Sequence, residues 1–245
     1  MKFETIKMQG AGDVSLSAYI LDTSKDMPNM LKRPAIIVIP GGSYHVCSDR
    51  EGEPVAMAFM MEGYNAFVLR YSVRDASQWP NPLTDAENAL ELIRERADEW
   101  NVDKDKIAVI GFSAGGHLAG ALSVMGRVRP NASILGYPCI LDSMNRILAN
   151  EVPSLDKYVT KETPPTFIAS ASDDTVVPIE NSLAFAQALA KEKVPFEMHI
   201  FNEGEHGFSV ANATVCPTEA AKNRTKLAAC WVKMCTDWLN KLFEI

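Results

Sequence analysis

A single serine stands among glycines in Gly111-Phe112-Ser113-Ala114-Gly115. The apolar run Ile107 to Ile110 leads straight into it, and an apolar helical pattern follows at once. A tight turn from a buried strand into a helix pushes its middle side chain out above the sheet. Small neighbours let the backbone bend that sharply, and G-x-S-x-G in this context presents a nucleophilic serine. The helix start behind Ser113 offers free N–H groups and a positive dipole end, both favourable to a developing oxyanion. The plainer reading is a helix N-cap with turn glycines.

A hydroxyl needs a base to become a useful nucleophile. The chain has four histidines, His45, His117, His199 and His206. His199 falls inside the strand-like run Phe196 to Phe201 and reads as a sheet residue. His117 follows Ser113 by one helical turn, points back into the fold and reads as a structural hydrogen-bonding group. His45 sits in a glycine-led loop and stays a lesser candidate. His206 lies in Asn202-Glu203-Gly204-Glu205-His206-Gly207-Phe208, just past a strand. Loops at the carboxyl ends of parallel strands are where such sheets place catalytic groups, so His206 is the expected base.

An imidazole base needs an orienting carboxylate. Asp173 and Asp174 both follow the strand-like Pro165 to Ala171, and one of them reads equally well as an Asx-turn residue. The order serine, aspartate, histidine is the one expected where a G-x-S-x-G turn joins strand to helix. An oxyanion needs two donors. The N–H of Ala114 is one, and the other is expected from Gly42 or Ser43 in Pro40-Gly41-Gly42-Ser43-Tyr44, where glycines allow close backbone approach.

These groups require a framework. Val14–Leu21 alternates like an edge strand, and Ala35–Ile39 is a short continuous apolar run of the kind buried on both faces. Strands are also predicted at Asn65–Tyr71, Lys106–Ile110, Ala132–Tyr137, Pro165–Ala171 and Phe196–Phe201. Helical character appears at 52–62, 114–125 and 179–191. Leu83, Ala86, Leu90, Ile93, Ala97 and Trp100 mark one helix face. A last helix is expected over 219–243, with Leu227, Trp231, Met234, Trp238 and Leu242 as its apolar stripe. Alternating strands and helices predict an α/β fold, a mostly parallel central sheet with helices on both faces. No repeat or linker divides the chain, so residues 1–245 are expected to form one domain, with 138–164 the candidate for a small insertion.

The 245 residues carry a net charge of −7, which argues against a nucleic-acid partner. No apolar run approaches the roughly 18 residues of a membrane span, and the first residues lack an apolar leader core. A cytoplasmic location is therefore expected. The five cysteines, Cys47, Cys139, Cys216, Cys230 and Cys235, show no metal-ligand spacing and read as free, mostly packed thiols. Neither a cofactor nor a metal is called for.

Taken together, Pro40–Tyr44, Gly111–Ala119, Ser172–Pro178 and Gly204–Phe208 make the chain resemble an α/β-hydrolase of the esterase/lipase type over nearly its whole length. The resemblance implies Asp174 as the triad acid, since Val177-Pro178 follow it at the family's D-x-x-V-P spacing. Arg50–Ala56 and Trp79–Leu90 further resemble the small bacterial acetyl xylan esterase-like carbohydrate esterases. One departure is Pro-Gly-Gly-Ser where many relatives have His-Gly-Gly-Gly; Ser43 there either adds a hydroxyl near the oxyanion or narrows the pocket.

The function so implied is a serine carboxylesterase removing short acyl groups, acetyl above all, from a small-molecule ester such as an acetylated sugar. Tyr44 and Trp79 are the candidate substrate-binding residues; Trp79 either offers a flat face to a sugar ring or packs between its prolines and the sheet. An amidase, arylformamidase or peptidase would use the same triad, and a non-catalytic binding protein would keep the same fold. A homo-oligomer is an open alternative.

Overall fold

The run Ala35–Ile39 sits at the heart of the sheet and is buried throughout. It belongs to β3 (Arg33–Ile39) of a computed structural model that describes residues 1–245. The other strands are β1 (Lys2–Lys7), β2 (Ser15–Ile20), β4 (Asn65–Arg70), β5 (Val102–Phe112), β6 (Ala132–Gly136), β7 (Thr166–Ala171) and β8 (Phe196–Phe201). They form one eight-stranded sheet in the order β1-β2-β4-β3-β5-β6-β7-β8. β1 and β2 pair antiparallel with each other and β2 antiparallel with β4, while every pair from β4 to β8 is parallel.

The two-residue period of a strand sends alternate side chains to opposite faces. Ile37 and Ile39 enter one core, with Leu90 of α2 (Asn81–Glu95), Leu118 of α3 (Ala114–Met125) and Phe185 of α4 (Glu180–Lys191). Ile36 and Val38 enter the other, with Phe59 of α1 (Glu53–Met61) and Trp231 of α6 (Trp231–Phe243). Helices therefore cover both faces, as an apolar strand buried on two sides demands. No helix is long and apolar enough to cross a membrane. All five cysteines are free; Cys139 and Cys235 are buried and Cys230 is exposed.

Two expectations need correcting. α2 ends at Glu95, and Ala97 and Trp100 remain buried in the turns beyond it. The tail is not one helix: α5 (Glu219–Arg224) is separated from α6, and the buried face of α6 is Trp231, Cys235, Leu239 and Phe243. Leu227, Met234 and Leu242 face outward. Apolar residues occur on two stripes of this helix, so periodicity alone does not choose between them. The indole N–H of Trp231, donating to the Ser209 carbonyl at 2.7 Å, anchors the stripe that is buried.

Residues 138–164 contain two short 3₁₀ turns, Asp142–Arg146 and Leu155–Tyr158. Ile140, Met144 and Leu155 pack into the core shared by α3 and α4. The segment thus lies over a helical face and also reaches the loop after β3, where the Ala149 N–H donates to the Ser43 carbonyl at 2.9 Å.

Candidate active site

The carboxyl ends of β3, β5, β6, β7 and β8 lead to Gly41, Ser113, Tyr137, Asp173–Asp174 and His206 respectively. Ser113 occupies the turn from β5 to α3 with φ 53° and ψ −119°. A non-glycine residue held there stores roughly 1–3 kcal/mol of backbone strain. The surroundings hold it in place: its N–H donates to the Gly136 carbonyl, and its own carbonyl accepts from the N–H groups of His117 and Cys139, each at 3.0 Å. At Gly115 a Cβ would run into the carbonyls of Ile39 and Pro40, so only glycine lets α3 start this close to the end of β3.

Ser113, His206 and Asp174 meet in a line. His206 Nε2 lies 3.0 Å from Ser113 Oγ, and His206 Nδ1 lies 2.7 Å from Asp174 Oδ2. An ionised carboxylate only accepts, so Nδ1 carries the ring proton and Nε2 is free to accept from the serine hydroxyl. The other carboxylate oxygen, Asp174 Oδ1, accepts from the N–H groups of Val176 at 2.9 Å and Val177 at 3.0 Å. The Val-Val-Pro segment thus sets the angle of the Asp174 carboxylate. Asp173 is turned elsewhere, accepting from the Gly204 N–H at 2.9 Å and from Arg224 at 2.6 Å.

Gly42, Ser43 and Tyr44 all have positive φ, at 123°, 54° and 59°. At Gly42 a side chain is excluded outright, because a Cβ would strike the Val46 carbonyl. No hydrogen bond is formed by the N–H of Gly42 or Ser43, and that of Ala114 is a helix-start donor with no intrahelical partner. Gly42 and Ser43 border a cavity of about 170 Å³ bounded also by Ser113, Glu51, Val176 and His206, among others. That is below the roughly 300–1,000 Å³ typical of sites for drug-sized ligands. Val176 is the one hydrophobic residue in its lining.

Tyr44 needs correction as a substrate contact. Its side chain is fully buried and its hydroxyl donates to Nδ1 of His117 at 2.8 Å. The ring turns inward because the left-handed backbone at Ser43 and Tyr44 redirects it into the core. Trp79 is half-buried, edge-on to the His117 ring at a centroid distance of 5.5 Å, and borders neither the cavity above nor the groove described below. Packing is its visible role. His199 is a sheet residue bonded to Glu197, and His45 is exposed.

His117 donates from Nε2 to the Pro153 carbonyl at 2.9 Å while accepting from Tyr44. It thereby ties the loop after β3 to the 138–164 segment. Burial lowers its pKa to about 4. The unfolded chain protonates the same ring near pH 6.5, so between those values the unfolded state binds more protons. Stability from this group is complete above about pH 6.5 and falls as pH drops towards 4, by on the order of 3 kcal/mol. Urea unfolding from pH 7 to pH 4 should therefore show a steeper loss in the wild type than in His117→Gln. Equal slopes would refute it.

Two neighbours of this cluster that carry no expectation from sequence are Glu51 and Tyr137. Glu51 is buried, accepts from the Gly41 N–H at 2.8 Å and from the Tyr137 hydroxyl at 2.8 Å, and borders the cavity. Burial pushes its carboxyl pKa up, against the opposing effect of those two hydrogen bonds. Tyr137 in turn accepts from the Ser209 N–H at 2.9 Å and stacks edge-on to His206 at 5.1 Å. The pair joins the loop after β3 to the loop after β8. The only signal for Glu51 was its place in Arg50–Ala56, which a single sequence marks without explaining.

Known proteins resemble this chain in both sequence and fold. The BD-FAE family matches residues 21–137, and the prolyl oligopeptidase family matches 137–224. The crystal structure of MGS-M1, an α/β-hydrolase enzyme from a Medee basin deep-sea metagenome library, is 40% identical, covers 100% of this chain and 99% of its own, and superposes with a TM-score of 0.94. The chain belongs to the α/β-hydrolase family. An acetyl ester-xyloside bifunctional hydrolase from Caldicellulosiruptor lactoaceticus is 37% identical with a TM-score of 0.82, over 96% of this chain and 90% of that one. An acetylxylan esterase of Xylanibacter ruminicola is 31% identical over 198 residues, 71% of this chain and 41% of that protein. The chain spans 33%, 41% and 52% of the length of the first three curated relatives it matches.

Proposed function

We propose that this chain is a serine carboxylesterase that removes short acyl groups, acetyl foremost, from esters of sugars or similar alcohols. The carrying observation is the Ser113–His206–Asp174 line opening into a small cavity. Ser113 Oγ attacks the ester carbonyl as its proton passes to His206 Nε2, and Asp174 holds the resulting imidazolium. The free N–H groups of Ala114 and of Gly42 or Ser43 receive the negative oxygen. His206 returns the proton to the departing alcohol, leaving acyl-Ser113. Water, deprotonated by the same histidine, then releases the acid.

The acyl preference follows from the cavity. A longer chain finds little volume and a single hydrophobic side chain, Val176, to repay its entry. Among acetyl, butyryl, octanoyl and palmitoyl p-nitrophenyl esters, kcat/KM should be highest at acetyl and at least about tenfold lower at octanoyl, since one misfitted methylene can shift discrimination by roughly 10–200-fold. A maximum at octanoyl or beyond would defeat the small-cavity argument.

The match of residues 137–224 to the prolyl oligopeptidase family supports amide hydrolysis by the same triad as the second reading. A panel of p-nitrophenyl esters, acetylated xylo-oligosaccharides and N-formylkynurenine separates the two. Turnover confined to the amide-type substrate would favour that second reading.

A further inference from the structure

The cavity with Ser113, Gly42 and Ser43 accommodates the acyl carbonyl and its oxygen but leaves the alcohol of the ester unplaced. A second, larger groove of about 490 Å³ starts at His206 and runs along Asp173, Thr175, Val176, Glu205 and Arg224. It shares His206 and Val176 with the cavity, yet Ser113, Gly42 and Ser43 do not border it. Proton movement decides what each space holds. When the tetrahedral intermediate collapses, the bond from carbon to the alcohol oxygen breaks and the Nε2 proton of His206 moves to that oxygen. Acyl-Ser113 and the free alcohol result, so the alcohol must lie against His206 and away from the oxyanion donors.

We propose that this groove is the leaving-alcohol site and that it takes an uncharged polyhydroxylated ring, a neutral sugar unit. The inference rests on the esterase reading and deepens it. Arg224 Nη2 lies 2.6 Å from Asp173 Oδ2, which sets donors beside acceptors on one accessible wall. Vicinal hydroxyls, each both donor and acceptor, fit such a pairing, and bonds to charged groups are the stronger kind. Asp173 is itself fixed by the Gly204 N–H at 2.9 Å, two residues before His206. Exposed Glu205 adds further acceptors, and exposed Val176 gives an apolar face for ring C–H groups. Asp173 and Glu205 against Arg224 leave the wall net negative, which disfavours an acidic sugar. A long apolar alcohol would meet only Val176, Ala220 and Ala221.

The test compares two acetates that differ in their alcohol, a mono-acetylated methyl xyloside and p-nitrophenyl acetate. The quantity read is the ratio of their kcat/KM values in the wild type, Arg224→Ala and Glu205→Gln. Arg224→Ala should lower that ratio about tenfold, corresponding to roughly 1.4 kcal/mol, with the KM for the xyloside carrying most of the change. The inhibition constant of free methyl xyloside should rise by a similar factor. Glu205→Gln should lower the ratio about threefold, within the range of a single weaker hydrogen bond. A merely disturbed histidine loop would depress kcat on both acetates and leave the ratio unchanged. An unchanged ratio in both variants overturns the assignment, while a wild type that still turns over the xyloside keeps the esterase reading. A wild type that hydrolyses neither acetate defeats that reading, and the inference falls with it.

Discussion

Ser113→Ala is expected to fold and to lose on the order of 10³-fold or more in kcat, because the acyl-enzyme route disappears with the hydroxyl. The replacement keeps a Cβ, so the strain of φ 53° is the same in both proteins. The backbone bonds from Gly136, His117 and Cys139 that hold the turn also survive, since none uses the side chain. His206 Nε2 loses its partner, but the ring keeps Asp174 and is itself partly accessible, with 18% of its side chain exposed. Residual activity would come from the oxyanion donors and substrate binding alone. The check is kcat on p-nitrophenyl acetate together with labelling by a fluorophosphonate probe. Turnover above half that of the wild type, or labelling that persists in the variant, would remove Ser113 from the nucleophile role.

A second large effect should separate two adjacent aspartates. Asp174→Asn is expected to lower kcat by up to about 10⁴-fold, the scale seen when a triad acid becomes an amide and the imidazole is held in the wrong tautomer. The same residue accepts from Val176 and Val177, so an amide that turns to keep those bonds presents N–H to His206 in place of an acceptor. Asp173→Asn touches the Gly204 N–H and Arg224 instead, and its loss on p-nitrophenyl acetate should stay within about tenfold, one hydrogen bond to a charged group. Both variants are to be compared at matched stability, measured by urea unfolding. A greater kcat loss from the Asp173 change would reverse the assignment.

The candidate triad residues were legible because each sits in a local context of its own. Ser113 lies between an apolar run and a helical pattern, and strand period and helix period are properties of short segments. Gly204-Glu205-His206-Gly207 follows a strand, and Asp174 precedes Val-Val-Pro, so both fall at the carboxyl ends of strands that the pattern had already marked. Tyr44 and Trp79 were less legible. An aromatic residue in a loop reads as a substrate contact until the backbone direction is known, and the positive φ at Ser43 and Tyr44 turns that ring into the core.

By itself the sequence determined the alternation of strand and helix, the turn that presents Ser113, and Ser113, Asp174 and His206 as the candidate triad. These depend on periodicity, glycine placement and residues within a few positions of one another. Only the tertiary structure decided the rest. Glu51 meets Tyr137 across 86 residues, Trp231 reaches Ser209 across 22, and His206 meets Ser113 across 93. Which stripe of α6 is buried was likewise settled by what it packs against, since its sequence offers two. The reason is common to all of these. A hydrogen bond or a buried face needs a partner of defined position, and when that partner is far along the chain, its position exists only once the sheet has brought the strand ends together.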